Sequence, residues 1–312
     1  KINQKLDFVT KGLSVQAMVN WKNWASSSYN RTIEPYYYGI KGGSYNPSNP
    51  TDYEIERLGT SGTDYLKTSD ISKASDQTFY LDARVNYDRQ FNLHHVTGML
   101  MYMQREYRSS VLPERNQGFS GRFTYDYGQR YLVELNFGYN GTERLAKKER
   151  FEFFPAVSLG WVISNEKFFE PMTKYIDNLK IRGSYGSLGN QALNNGWYAY
   201  LSNYSTGQIS WIMGSNQPQY VVPGGLVSSS ITWETVTQWD LGLDFNFLNS
   251  RLKGAFDYYQ RRTSDILAAG KILPGVLGAN EPQENAAESL TKGWEFEISW
   301  NDQLANGFHY TV

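Results

Sequence analysis

The feature that most limits what this chain can become is a two-residue alternation that recurs from end to end. In about twelve stretches, apolar and aromatic residues take every second position while small, polar or charged residues take the others. The clearest runs through Trp233, Trp239, Leu241, Leu243, Phe245 and Phe247 on one parity, with Glu234, Gln238, Asp240, Gly242, Asp244 and Asn246 on the other. The pattern returns in Phe153, Pro155, Val157, Leu159, Trp161 and Ile163 against Ala156, Ser158 and Gly160. It returns again in Leu179, Ile181, Gly183 and Tyr185 against Lys180, Arg182 and Ser184. A 3.6-residue helix would scatter both classes around its circumference, so these stretches specify β-strands with one apolar face.

The connections alternate too. Short turns are expected near residues 10, 89, 128, 248 and 303, with a compact connector at 164–177. Long loops are expected at 25–75, 104–117, 141–150, 188–230 and 263–290. Within the connector, Asn165 to Tyr175 reads as a helical turn capped by Asn or Ser ahead of Glu166 and interrupted by Pro171. One strand leaves its parity open: Val96, Gly98, Leu100 and Tyr102 oppose Met99, Met101 and Met103.

Short turns on one side, long loops on the other, and apolar faces free of charge over ~9–11 residues describe a transmembrane antiparallel up-and-down β-barrel. Trp21, Trp161, Trp233, Trp294 and Trp300 stand at strand ends, where an aromatic girdle would lie. Aromatics make up 16% of the chain, and mean hydropathy is low at −0.56. No run nears the ~18 apolar residues of a membrane helix, which excludes nothing for a barrel. A net charge of −1 offers no basic field for nucleic acid, and the absence of cysteine accords with export through an oxidising compartment. Lys1 follows no leader, and Val312 falls within a strand pattern, so a segment of one longer barrel domain spanning residues 1–312 is expected.

Phe154-Pro155, Ser158, Gly160-Trp161, Glu166, Phe168, Leu179-Lys180, Arg182, Ser184-Tyr185-Gly186 and Gly189-Asn190 form a long run of specific spacing. It resembles the F-P-x-x-S-x-G-W … E-x-F … L-K-x-R-x-S-Y-G-x-x-G-N signature of SusC/RagA-type TonB-dependent outer-membrane transporters. Trp233-Glu234, Thr237-Gln238, Gly242 and Asp244, then Asp257-Tyr258-Tyr259, then Lys292-Gly293 and Glu295-Phe296-Glu297, are similar to the family's later strands. Gly138, Asn140 and Glu143 depart from its usual Arg, Asp and Ser. The resemblance implies a 22-stranded barrel closed by an N-terminal plug that lies outside this segment. It also implies a SusD-like surface lipoprotein, energy from TonB, and dimers of transporter–lipoprotein pairs.

The chemistry is that of binding. The only adjacent histidines, His94 and His95, read as a turn-edge pair, and no metal or cofactor is expected. No Ser-His-acid set is recognisable, so no catalytic residues are assigned. Gly183, Gly186 and Gly189 follow a strand with no helix after them, which favours turn geometry over a phosphate loop. Asp82, Arg84, Arg122, Asp126, Glu134, Lys180, Arg182, Asp240, Asp244, Lys253, Asp257, Glu295 and Glu297 are expected to line a hydrated lumen, some of them pairing with the plug. Candidate ligand-stacking rings are Trp197, Tyr198, Tyr200, Tyr204 and Trp211 in one loop and Tyr36, Tyr37 and Tyr38 in another. The expected cargo is an oligomeric nutrient, a glycan before a peptide; a passive porin and a β-sandwich adhesin are the alternatives.

Overall fold

The computed structural model describes residues 1–191, 197–212, 214, 216–270, 272, 274–277, 281–303, 307 and 309–312. Among these residues eighteen strands follow one another, beginning with β1 (Ile2–Lys5), β2 (Leu13–Ser28), β3 (Arg31–Thr32), β4 (Tyr37–Ile40), β5 (Ile55–Leu58) and β6 (Lys67–Thr68). Then come β7 (Ser72–Phe91), β8 (His94–Arg108), β9 (Glu114–Tyr127), β10 (Tyr131–Thr142), β11 (Phe151–Val162) and β12 (Ile176–Asn190). The last six are β13 (Tyr204–Gln208), β14 (Gln219–Pro223), β15 (Glu234–Phe247), β16 (Leu252–Ala269), β17 (Gln283–Gln303) and β18 (His309–Thr311).

Twelve of them form one sheet in the order β1-β2-β7-β8-β9-β10-β11-β12-β15-β16-β17-β18, with antiparallel pairing between its long strands. Neighbours in space are therefore successive long strands, an up-and-down meander. The chain separates into two compact units: residues 1–21, 79–107 and 112–312, and residues 22–78 with 108–111. The second contains two small antiparallel ladders, β3 with β6 and β4 with β5.

The turns sit where local chemistry demands them. Asn92, Gly128, Gln129, Leu248, Asn249 and Ser250 all have positive φ, as tight antiparallel reversals require. Residues 304–306 of the turn expected near 303 lie outside the described residues. The connector contains two 3-10 turns, Ile163–Asn165 and Lys167–Met172, rather than a capped helix. Neither has a side-chain cap, and Pro171 lies inside the second instead of breaking it.

Several expected loops are shorter than the sequence suggested. β2 runs to Ser28, β7 starts at Ser72, β16 reaches Ala269 and β17 starts at Gln283. Strand pairing here continues past the apolar band, where water meets both faces and no hydrophobic alternation is needed to sustain backbone hydrogen bonds. Gly183, Gly186 and Gly189 also lie within β12, not in a turn. A Cβ on Gly189 would meet the Phe154 ring at 2.0 Å, so that glycine is a seat for an aromatic neighbour.

A single sheet buries little. Among the described residues the buried apolar ones are Leu145, Phe154, Phe169, Ile231 and Trp233, while Leu159, Leu241, Phe296 and Trp294 are exposed on the apolar face. That face is built for lipid. Tyr131, Val133, Leu135, Phe137 and Tyr139 on β10 stand beside Tyr127 to Phe119 on β9 and Trp161 to Phe153 on β11. From the Tyr127, Tyr131, Trp161 row to the Phe119, Tyr139, Phe153 row is eight residues, ~27 Å along the strand, or roughly 20 Å along the normal at a barrel's usual tilt. Trp233 is the exception among the expected girdle residues. It is 5% exposed and packs edge-on against Phe154 at 5.4 Å, inside a small cluster with Leu145 and Ile231.

Candidate functional site

The polar face is organised around Arg182. Register places it opposite Gly242, which in turn faces Asp257. With no side chain between them, Arg182 reaches across the intervening strand and donates from Nη2 to Asp257 at 2.8 Å. It also donates to Asp244 at 3.1 Å and to Asp240 at 3.3 Å, so one guanidinium ties three carboxylates on two strands. Three strands away in the sheet, Arg122 pairs with Glu134 at 2.9 Å, and Asn136 donates to the same carboxylate at 2.8 Å. Further along, Arg84 binds the buried Asp82 at 2.6 Å. These charges hold one another, and the wall they form is polar but cross-linked. A concavity of about 470 Å³ opens between Glu134, Ser158, Gly160, Ser184, Arg182 and Asp240. The histidine pair is divided: His94 bonds Tyr125 at 2.8 Å and His95 bonds Asp88 at 2.9 Å.

The candidate rings fall into two kinds. Tyr198 donates its hydroxyl to the Pro113 carbonyl and to Glu143, the latter at 3.1 Å. Burial and the Glu143 carboxylate together push its phenol up to about 12. Trp197 lies under the Arg144 guanidinium at 4.4 Å, and Tyr200 packs 6.2 Å from Tyr198. Trp197 and Tyr198 fasten the loop after β12 to the loops before β9 and β11, and Tyr200 packs on Tyr198 within its own loop. Tyr204 opens β13 and Trp211 lies between β13 and β14; both are more than two-thirds exposed. In the second unit, Tyr36 donates to Asp64 at 2.7 Å and carries Arg57 over its ring at 4.5 Å. Tyr37 and Tyr38, on β4, are exposed.

Two further arrangements were not among the expected site residues. Asn285 clamps the backbone of Thr232, accepting from its N–H at 2.9 Å and donating to its carbonyl at 3.1 Å. This holds Ile231 and Trp233 against Phe154. Glu166 accepts from the Trp161 indole at 3.2 Å and lies 3.9 Å from Arg130. The Tyr131 hydroxyl, foremost, and then the Trp161 indole hold its carboxyl below the ordinary value. The G-W … E spacing was the visible signal for that contact; nothing local announced the Asn285 clamp.

Similarities to known proteins agree with this geometry. The TonB-dependent receptor SusC of Bacteroides thetaiotaomicron is 30% identical over 202 residues, covering 62% of this chain and 19% of that receptor. A TonB-dependent receptor of Formosa agariphila is 31% identical over 179 residues, covering 57% of this chain and 17% of the relative. The chain thus spans under a fifth of the length of these relatives. Among solved structures, the RagAB peptide importer in its closed-closed state matches 96% of this chain and 34% of its own, with a TM-score of 0.65 at 18% identity. The ferric enterobactin receptor PfeA of Pseudomonas aeruginosa matches 96% and 40%, with a TM-score of 0.53 at 13% identity. The model of the family described as TonB dependent receptor-like, beta-barrel matches residues 3–312, and the chain belongs to that family of outer-membrane barrels.

Proposed function

We propose that this chain supplies part of the wall and outer loops of a TonB-dependent importer that carries an oligomeric glycan across the outer membrane. The observation that carries the reading is the exposure of Tyr204 and Trp211 around the β13–β14 hairpin. Flat exposed ring faces offer stacking surfaces for sugars. Trp197 and Tyr198 serve this hairpin by holding the loop that leads into it. In the second unit, taken by itself, Tyr37 and Tyr38 are exposed on β4 and offer the same kind of surface, while Tyr36 is held by Asp64. In this reading a SusD-like lipoprotein covers the loops, TonB acts through another part of the longer protein, and transporter–lipoprotein pairs dimerise. The chain does no covalent chemistry. Peptide cargo is the second reading, favoured by Ile212, Val221 and Val222 exposed on the same hairpin.

The test is calorimetric titration of the detergent-purified full-length protein with a panel of oligosaccharides and a panel of peptides. Oligosaccharide binding is expected, weakened about two- to tenfold by Trp211→Ala, the loss of one ring contact. Binding of peptides alone overturns the glycan reading, and an unchanged affinity in Trp211→Ala overturns the assignment of the hairpin.

A further inference from the structure

We infer that the polar wall carries a thioether site for a soft monovalent metal ion, Cu(I) or Ag(I), formed by Met99, Met101 and Met103. The whole chain has 6 methionines, and three of them occupy alternate positions of the single strand β8. Alternation puts all three on one face, successive members ~6.8 Å apart. Register identifies the face: Met99 is opposite Arg122, Met101 opposite Ser120 and Met103 opposite Gly118, all on the polar wall. The intervening Leu100 and Tyr102 face Gly121 and Phe119 on the lipid side.

A row of apolar side chains on a wall of carboxylates and guanidinium groups answers no need of the membrane. Packing alone would select β-branched or aromatic residues in a strand, not methionine. Ser120 and Gly118 carry little side chain to cover the row from β9, and the three methionines, partly exposed as residues, stand on the polar side of the sheet. Methionine's three rotatable bonds let the outer two thioethers lean toward the central one. Thioethers are neutral and soft; they prefer Cu(I) and Ag(I) to zinc, calcium or magnesium, and a chain with no cysteine offers no softer donor. Binding needs no change of oxidation state. It also releases no proton, which distinguishes this site from one built on His95, already engaged with Asp88 at 2.9 Å.

The experiment is calorimetry of Ag(I) nitrate into the full-length protein in detergent and chloride-free buffer. One equivalent should bind with an affinity unchanged between about pH 5.5 and 7.5, since no ligand titrates there. Combined Met99→Leu, Met101→Leu and Met103→Leu should weaken it about 100-fold, and Met101→Leu alone about tenfold. Leucine conserves volume, and heat-modifiable gel migration reports whether each variant keeps its barrel. Should the triple variant not fold, the single Met101→Leu decides. Undiminished affinity in the folded variants, no binding by the wild type, or affinity that falls as histidine protonates would each overturn the proposal.

Discussion

Adding one methyl group at residue 242 should break the cross-link on which the polar wall depends. Gly242 lies between Arg182 and Asp257, and a Cβ there would stand 2.5 Å from both Arg182 Cζ and Asp257 Oδ1. Neither approach is tolerable, so in Gly242→Ala either the guanidinium or the carboxylate must swing away. Arg182 cannot move freely, because Asp244 and Asp240 hold it at 3.1 and 3.3 Å. Losing a charge-assisted hydrogen bond costs ~1.5–3 kcal/mol in a buried setting. Arg182 is 34% exposed, so solvent screening lowers the expectation to about 1–2 kcal/mol. Thermal unfolding of the full-length barrel in detergent measures it, for Gly242→Ala, Asp257→Ala and the pair. In the Asp257→Ala background the bond is already gone, so the alanine should cost less than half as much. A wild-type melting profile for Gly242→Ala, or an equal cost in both backgrounds, would refute the role assigned to this glycine.

Four further outcomes follow from the same geometry. Glu166 is held below its ordinary value of 4.5, so its contribution to anchoring the connector is complete above that pH and lost as pH falls through the lowered value. Protease cleavage of residues 163–175 should therefore rise in acid for the wild type and become insensitive to acid in Glu166→Gln. Tyr198→Phe removes the donor to Glu143 and to the Pro113 carbonyl, which should loosen the loop by about 1–2 kcal/mol without lowering the melting point of the barrel. Hydrogen exchange across residues 197–212 reads this directly. Phe154→Ala empties the small cluster with Trp233 and should cost ~3–5 kcal/mol, seen as lower thermal stability; Gly189→Ala should also destabilise, because its Cβ would enter the Phe154 ring.

Much of this protein was legible before its structure. Strand identity came from parity, since a two-residue repeat is a property of each strand by itself. Turn positions came from residues such as Gly128 and Asn249, whose backbone angles are local. The boundaries of β16 and β17 were not legible, because beyond the lipid band backbone pairing persists without an apolar pattern. Trp233 read as one more girdle residue, yet it is buried: its parity fitted a strand, and its partner Phe154 lies 79 positions earlier. Tyr198 read as an open ring for the same reason, its hydroxyl being taken by residues 55 and 85 positions away.

What the amino-acid order determined alone was the class: alternating strands, short and long connections in turn, one face for lipid and one for water. These follow from the local geometry of an extended chain in two solvents. Tertiary structure decided which charges are cross-linked, which aromatics are spent on holding loops, and which side of the sheet the methionine row of β8 occupies. Each of these depends on register between strands, and register is set by pairing across the sheet, not by any residue's neighbours in sequence.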